Sequence, residues 1–320
     1  MYSLLTRDDE SRKTEIVKKS FLTSSNYKTI VFVCGKDRKE KDTIRQRFLD
    51  HCFSNHIEIS PILAEEAADK SLFDWDFLTQ ERLIASFSGA IVIAVESMGS
   101  VCELGSFAYL DSVARKTYVL DDMQYKDNDS FISLGPIEKI KRLGKPHEHI
   151  FYFDLAIPKG TGSLEEAFKN CSNVISAKTS FRKDAISFSK GTLIIKDLFW
   201  LRLALLELIG LLQTTTLSEV QAALLSLYEC KHLALCLDQE TSKIKGNQAE
   251  AYLKLLISFC EKMNLISQDD KGFIYSLPSN KMLFFPGAEV SSILFNSDFA
   301  GSTAYKRILS RRLCYLRRFR

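Results

Sequence analysis

The sequence lacks the features that mark secreted, membrane-spanning or disulfide-linked proteins. Its 320 residues include eight cysteines, but no C-x-x-C pair, which favours reduced thiols over a disulfide framework or a zinc site. Residues 1–10 carry four charged side chains where a signal peptide needs an apolar core. The most apolar helical stretch, residues 198–212, is short and contains Arg202 and Glu207. We therefore expect a cytoplasmic protein with no membrane span, no metal site and no bound cofactor.

The charge is unevenly distributed along the chain. Residues 1–155 hold 21 basic and 25 acidic groups, whereas residues 156–320 hold 22 basic and 15 acidic groups. All of this basic excess lies in the last fifteen residues, where aromatic side chains alternate with the cations, a pattern that suits nucleic-acid phosphates and bases. A solvated terminus is the alternative. The cations are Lys306, Arg307, Arg311, Arg312, Arg317, Arg318 and Arg320.

The first half of the chain alternates strand and helix signals. Such alternation with short connections predicts right-handed βαβ units and a parallel sheet covered on both faces. We expect an α/β domain of flavodoxin-like size in residues 1–155. The predicted strands are Thr29–Cys34, Ile57–Ser60, Ala90–Val95, Lys116–Leu120 and His149–Phe153. The predicted helices are Arg38–Cys52, Asp76–Phe87, Val101–Ala114 and Phe131–Leu143.

The second half is mainly helical. Residues 156–190 are rich in Gly, Ser and Lys and indicate a connector with one helix. Three helical patterns and a hairpin signal follow in residues 191–305, the order of a winged helix, and residues 306–320 form the basic tail. The third helix offers only Lys254 and Lys262 to nucleic acid, so a winged helix that contacts protein is an open alternative.

The chemistry is concentrated in residues 90–107. Ala90–Val95 carries no charge, which suits a strand buried on both faces, and ligands bind beyond the carboxyl ends of such strands. Ser97, Gly99 and Ser100 would let a ligand reach backbone N–H groups there, and Glu103 would point into the same crevice as a catalytic carboxylate. The alternative is a capping box, with Ser100 as N-cap and Glu103 as its partner. Near a helix start, Glu103 would remain ionised at neutral pH.

Four further residues are candidates for substrate binding. Gly35 follows the first strand and would admit a ligand, although a simple turn also explains it. Glu65 follows the second strand and Glu81 lies on the next helix, so both could reach the crevice, although exposed acids are the ordinary alternative. Asp129 lies in an acidic loop after the fourth strand and could contact a base or ribose.

Three stretches of the first half resemble the nucleoside 2′-deoxyribosyltransferase-like superfamily. They also resemble, more closely, the ribosyltransferase and DNA-binding effectors encoded beside bacterial retron reverse transcriptases. The resemblance covers residues 28–145, and its specific motif is residues 96–107, which differs at Met98 from the S-P-G-S version of the turn. The other two stretches are residues 30–35 and residues 125–136.

The resemblance implies a toxic antiphage effector held in check by a reverse transcriptase and its small DNA–RNA product. It also implies that Glu103 is the catalytic carboxylate. We therefore expect cleavage of an N-glycosidic bond, with NAD or a related nucleotide as substrate rather than cofactor, in which Glu103 attacks the anomeric carbon or stabilises an oxocarbenium-like cation. We also expect an oligomeric complex. Two other functions stay open: a nucleotide-sensing regulator without turnover, and a deoxyribosyltransferase of nucleoside salvage.

Overall fold

The computed structural model describes two compact parts of the chain, residues 29–177 and residues 186–276. Short gaps in these ranges, at residues 38, 56–58, 64, 66–75, 145, 213, 229, 236–243, 246 and 263–264, are not described. The basic tail, with its six candidate nucleic-acid-binding cations at positions 306–318, lies outside the described residues.

The first part is built on a five-stranded sheet in which every strand is parallel to its neighbours. The strands are β1 (Thr29–Cys34), β2 (Ile59–Leu63), β3 (Ala90–Ala94), β4 (Thr117–Asp122) and β5 (Ile150–Phe153). Their order in the sheet is β2-β1-β3-β4-β5. The first strand of the chain therefore lies inside the sheet, with β2 on one side and the later strands on the other. The predicted α/β class and five-stranded parallel sheet are confirmed.

Helices cover both faces of this sheet. They are α1 (Ile44–Asn55), α2 (Phe77–Phe87), α3 (Met98–Tyr109), α4 (Asp111–Ala114), α5 (Glu138–Leu143), α6 (Pro146–His149) and α7 (Leu164–Ala177). A 3₁₀ turn (Met123–Tyr125) and a π-helical turn (Ser133–Ile137) follow β4. The single helix expected over Val101–Ala114 is divided, because Leu110 has an extended backbone and separates α3 from α4.

The alternation of side chains along β1 explains how the two faces are packed. Val31 and Val33 belong to the core that α1 and α7 cover, where Phe48 and Phe168 meet with ring centroids 5.4 Å apart. Residues of the opposite parity, Phe32 and Cys34, therefore face the other side of the sheet. There the ring of Phe32 packs on Phe107 of α3 at 6.0 Å. Helix α7 falls in the stretch that the sequence assigned to a connector.

The second part contains two small sheets. The strands are β6 (Ile186–Ser189), β7 (Thr192–Ile195), β8 (Thr214–Thr215), β9 (His232–Leu235), β10 (Ile244–Lys245), β11 (Ile266–Gln268) and β12 (Ile274–Ser276). A four-stranded sheet has the order β10-β9-β7-β6, and a three-stranded antiparallel sheet has the order β11-β12-β8. The helices are α8 (Leu198–Leu212), α9 (Leu217–Leu227) and α10 (Asn247–Lys262).

Sequence reasoning found the three helices and the last hairpin but missed the four-stranded sheet. Strands of two to four residues give too few positions for a periodic pattern. One signal was present: Lys190 and Gly191, both with positive φ (47° and 73°), form the two-residue turn between β6 and β7. Such paired positive φ values are typical of hairpin turns, and Gly adopts them without strain.

Candidate active site

The turn after β3 starts helix α3 three residues earlier than the sequence indicated. Ser97 is the N-cap: its hydroxyl accepts from Ser100 N at 3.1 Å, and Ser100 Oγ accepts from Ser97 N at 3.0 Å. The predicted capping box of Ser100 and Glu103 is therefore wrong, because Ser100 already supplies the reciprocal bond. Glu103 lies in the second turn of α3, beyond the residues that a capping box uses.

The hydroxyls of Ser97 and Ser100 are engaged with each other in this cap. Ser100 is fully buried, and its Oγ also accepts from Glu96 N at 3.2 Å. Gly99 is exposed, and a Cβ added there would meet only Ser97 Oγ, at 3.7 Å. Of these three predicted substrate contacts, Gly99 is the one whose backbone is open to an approaching group.

Glu103 is a half-buried carboxylate whose Oε2 has no hydrogen-bond partner among the described residues. The thiol of Cys34 donates to the Glu103 side chain. This contact follows from the packing of Phe32 on Phe107. Glu103 lies one helical turn before Phe107, and Cys34 lies two residues after Phe32, so Cys34 and Glu103 form the next layer.

The environment of Glu103 favours the protonated form. Burial, followed by the nearby carboxylate of Glu81, raises the pKa of Glu103 to about 8 against the opposing effect of Arg45. The expectation that Glu103 stays ionised at neutral pH in the free protein is therefore wrong. Its reason, a position at the helix start, fails because the helix starts at Met98.

Four groups surround the Cys34 thiol and interact with it electrostatically: Glu103, Glu81, Arg45 and Glu65. Burial, followed by the Glu103 charge, raises the pKa of the Cys34 thiol well above its usual value. The pKa of Glu81 is also raised, first by burial and then by Glu65. The structure thus brings together three of the predicted site acids, which come from α3, α2 and the segment after β2.

Among the residues that the structure describes, one cation accompanies these three acids. Arg45 of α1 is buried, and its Nη1 donates to both Glu65 oxygens, at 3.0 and 3.2 Å. This pairing neutralises Glu65 and holds the guanidinium at one side of the cluster. Arg45 also lowers the pKa of Glu103, an effect that ranks after those of burial and Glu81.

Sequence reasoning missed Glu96, which lies two residues after the end of β3. Its Oε2 accepts from Ile44 N at 2.7 Å, and its Oε1 accepts from Lys36 N and Arg45 N at 3.1 Å each. The N-terminus of α1, otherwise a ready anion site, is thus occupied by a carboxylate of the protein itself. The signal available was an acid at the carboxyl end of a buried strand.

Gly35 has a packing role in the same place. A Cβ at residue 35 would lie 2.7 Å from Arg45 Cβ and 2.8 Å from Glu96 Oε1. Only glycine permits this approach of α1 and Glu96 to the end of β1. A contact between Gly35 and substrate stays a prediction.

Three other predicted site residues, Asp129, Lys254 and Lys262, lie on other segments of the chain. Asp129 is exposed, on the segment after β4. Sequence reasoning also missed Asp121 at the end of β4, where burial raises the pKa to about 6. In the second part, Lys254 Nζ pairs with Glu250 at 3.0 Å on α10, and Lys262 is the last residue of that helix.

Within the described ranges, no helix has both the length and the apolar character needed to cross a bilayer. The same ranges hold no group of three or more His, Cys, Asp and Glu side chains arranged to bind a metal ion. The six cysteines there are free.

Comparison with known proteins shows that this chain is similar to retron proteins. The sequence profile described as "STM3845 retron effector protein" matches residues 41–268. The "Retron Ec73 putative ribosyltransferase/DNA-binding protein" of Escherichia coli is 27% identical over 153 residues, which is 44% of this chain and 46% of that protein. The "Retron Ec86 putative ribosyltransferase/DNA-binding protein" of Escherichia coli is 27% identical over 130 residues, or 40% and 42% of the two chains. The chain therefore matches less than half of the length of each of these two relatives.

Proposed function

This chain belongs to the STM3845 retron effector protein family, and from that premise we propose that it is the toxic effector of a retron antiphage defence system. Its proposed reaction is cleavage of the N-glycosidic bond of NAD or a related nucleotide. Two relatives whose names include ribosyltransferase support a glycosyl-transfer reaction. The choice of NAD is part of the proposal.

The observation that carries this proposal is the position of Glu103. It is a carboxylate on the helix that follows the central strand β3, at the carboxyl edge of a parallel sheet, where open α/β folds bind their ligands. Its Oε2 has no partner in the described structure. A carboxylate with a free, desolvated oxygen is the group that glycosyl transfer through a covalent intermediate requires.

The reaction proceeds in two displacements. Glu103 first releases its proton to solvent. Its ionised oxygen then bonds to the anomeric carbon while the bond from that carbon to the base nitrogen breaks, and the electron pair leaves with the base. Water then hydrolyses the resulting ester and restores the carboxylate. A nicotinamide ring is already cationic before it leaves, so its departure needs no general acid. The exposed backbone at Gly99 orients the ribose or phosphate, and Asp129 contacts the base or ribose.

The test is the fate of nucleotides incubated with the purified protein and with Glu103→Gln, followed by mass spectrometry. Glu165→Gln is the matched control, because Glu165 is an exposed acid on α7. We expect loss of NAD with the wild type and the control, and no loss with Glu103→Gln. Full NAD loss with Glu103→Gln would overturn the proposed role of Glu103.

Other outcomes of this test point to the open alternatives. A nucleotide that binds and survives unchanged would indicate a sensor, and transfer of deoxyribose between two bases would indicate a salvage enzyme. Either result would replace NAD cleavage as the function while leaving the family membership intact.

We further propose that the second part of the chain is a winged-helix domain that binds the retron reverse transcriptase and its DNA–RNA product. The supporting observation is the order α8, β8, α9, β9, β10, α10, β11, β12, which contains three helices followed by a hairpin, with β12 paired to both β11 and β8. Both relatives are also named as DNA-binding. In this proposal Lys254, Lys262 and the cations from Lys306 to Arg318 meet phosphates, and the complex assembles in the bacterial cytoplasm.

Gel-shift titration of the DNA–RNA product at several salt concentrations tests this interface. Charge reversal by Lys254→Glu should weaken binding and lower the salt dependence, because each phosphate contact releases counterions. Unchanged affinity in that variant and in a variant lacking residues 306–320 would indicate that this domain contacts protein instead.

A further inference from the structure

The face of the first sheet that carries Glu103 continues across β3 and β4 to the edge strand β5. Cys34, which donates to Glu103, is level with Val119 of β4 through the register of β3. Asp121 lies two residues after Val119 and is paired with Tyr152 of β5. Because side chains alternate along a strand, Asp121 and Tyr152 are on the same face as Cys34. Glu103 and Tyr152 therefore belong to one face of the sheet, near its carboxyl edge.

Two ammonium groups lie over the ring of Tyr152. Lys126 Nζ, from the segment after β4, is 5.6 Å from the ring centroid, and Lys141 Nζ, from α5, is 5.9 Å from it. Lys126 is exposed, and Lys141 and Tyr152 are half-buried, so solvent reaches this lysine pair. The ring attracts each cation, whereas the two cations repel each other. An anion that contacts both nitrogens would remove this repulsion, and phosphate is an anion that lysine commonly binds in proteins.

The separation of Glu103 from the lysine pair suits a substrate that is longer than a nucleoside. The strands β1, β3, β4 and β5 are consecutive in the sheet, so Cys34 and Tyr152 are three strand spacings apart, about 14 Å across the sheet. A ribose bound at Glu103 ends short of Tyr152, whereas a phosphate or diphosphate on its 5′ oxygen extends toward the lysine pair.

The opposite end of the same crevice is unsuited to phosphate. The N–H groups of Lys36, Ile44 and Arg45, in the turn between β1 and α1, already donate to Glu96. Dinucleotide-binding folds hold phosphate at this first βα turn. The acids clustered around Glu103 also repel an anion there. A ligand with a cationic base and an anionic tail would therefore place its base at the acidic end and its phosphates at the lysine pair.

We propose that Lys126 and Lys141 bind the phosphate groups of the substrate, and that the substrate is consequently a nucleoside phosphate or a dinucleotide rather than a nucleoside. This inference rests on the proposed role of Glu103 and adds the class of substrate. It also assigns a function to a pair of side chains that the proposed reaction does not use.

Two aspartates moderate the lysine pair. Asp121 and Asp127 both act electrostatically on Tyr152, and Lys141 acts on Asp121 in turn. Their negative charges oppose a bound anion, so they limit the affinity for phosphate without occupying both lysines. Asp127 is exposed, which allows its charge to be removed with little effect on packing. The loss of a lysine and the loss of Asp127 should therefore change phosphate binding in opposite directions.

The direct test is isothermal titration calorimetry of the full-length protein with ADP and with adenosine, which differ in the diphosphate alone. We expect ADP to bind at least about tenfold more tightly than adenosine. Lys126→Ala/Lys141→Ala should lose at least about tenfold in ADP affinity and keep its adenosine affinity. Asp127→Asn should bind ADP about two- to threefold more tightly.

Lys169→Ala is the matched control, because Lys169 is an exposed lysine on α7, the helix that covers the opposite face of the sheet. Its affinity for ADP should equal that of the wild type. Lys126→Ala alone, a change at an exposed side chain, serves if the double variant does not fold. Equal affinities of the wild type for ADP and adenosine, or an ADP affinity that survives the loss of both lysines, would overturn the phosphate site.

Nucleotide cleavage separates this inference from the proposed reaction. If the wild type cleaves NAD, the double variant should show a raised KM for NAD. Cleavage with an unchanged KM in that variant would keep the reaction and reject the phosphate site. If ADP binding depends on the two lysines and no nucleotide is cleaved, the phosphate site stands and the proposed reaction fails.

Discussion

Replacing Glu103 with Gln should alter the pH dependence of stability as well as activity. The folded protein holds a proton on Glu103 up to about pH 8, whereas the unfolded chain releases it near the ordinary value of 4.5. The folded state therefore binds more protons across this interval, and its stability falls as pH rises from about 4.5 to about 8. Below pH 4.5 both states are protonated and Glu103 carries no penalty.

The size of this effect follows from the two pKa values. A difference of roughly 3.5 pH units corresponds to at most about 5 kcal/mol, of which roughly 3 kcal/mol is already lost at pH 7. Coupling to Glu81 distributes part of this energy over both acids, so we expect about 2–5 kcal/mol between pH 4 and pH 9. Gln has nearly the same shape and cannot ionise, so the variant lacks this decline.

Differential scanning calorimetry of both proteins at pH 5, 7 and 9 measures the difference. For a unit of this size, about 2–4 °C of Tm corresponds to 1 kcal/mol. The Tm advantage of Glu103→Gln should grow from near zero at pH 5 to several degrees at pH 9. A Tm difference that is constant over this range would refute the reasoning, since it would mean that Glu103 has a similar pKa in both states.

Three further perturbations test the surroundings of the site. Gly35→Ala should lower the free energy of unfolding in urea by about 1–3 kcal/mol, because its Cβ would overlap Arg45 and Glu96. The control Gly105→Ala, where a Cβ meets nothing within 4 Å, should be neutral or stabilising. Equal effects of the two substitutions would contradict the packing role of Gly35. Ser97→Ala should cost about 0.5–2 kcal/mol through loss of the α3 cap, so an unchanged urea midpoint would argue against it. Exposed Cys102 should react with a thiol reagent in the native protein, whereas buried Cys34 should react only on unfolding. Labelled positions are located by peptide mass spectrometry. Labelling of Cys34 in the native protein would show that the core beneath Glu103 opens.

Much of the first sheet could be read from local patterns. Uncharged runs such as Ala90–Ala94 are long enough to identify buried strands, and their alternation with helices dictates a parallel sheet. The same reasoning missed the strands of the four-stranded sheet, β6, β7, β9 and β10, because strands of two to four residues gain their stability from partners distant in sequence. The turn at Lys190–Gly191, between β6 and β7, was the one local sequence signal of that sheet.

Local patterns were also enough to show that an acid, Glu103, follows a turn of small residues after a central strand. They could not assign the charge of that acid, because protonation depends on groups that are far apart in the chain. Burial of the carboxyl group and the Glu81 carboxylate from α2 raise the pKa of Glu103 to about 8, against the opposing effect of Arg45 from α1. Similarly, Ser100 and Glu103 satisfy the spacing of a capping box, and only the path of the backbone assigned the cap to Ser97. Electrostatics and helix starts depend on three-dimensional neighbours, which spacing along the chain does not encode.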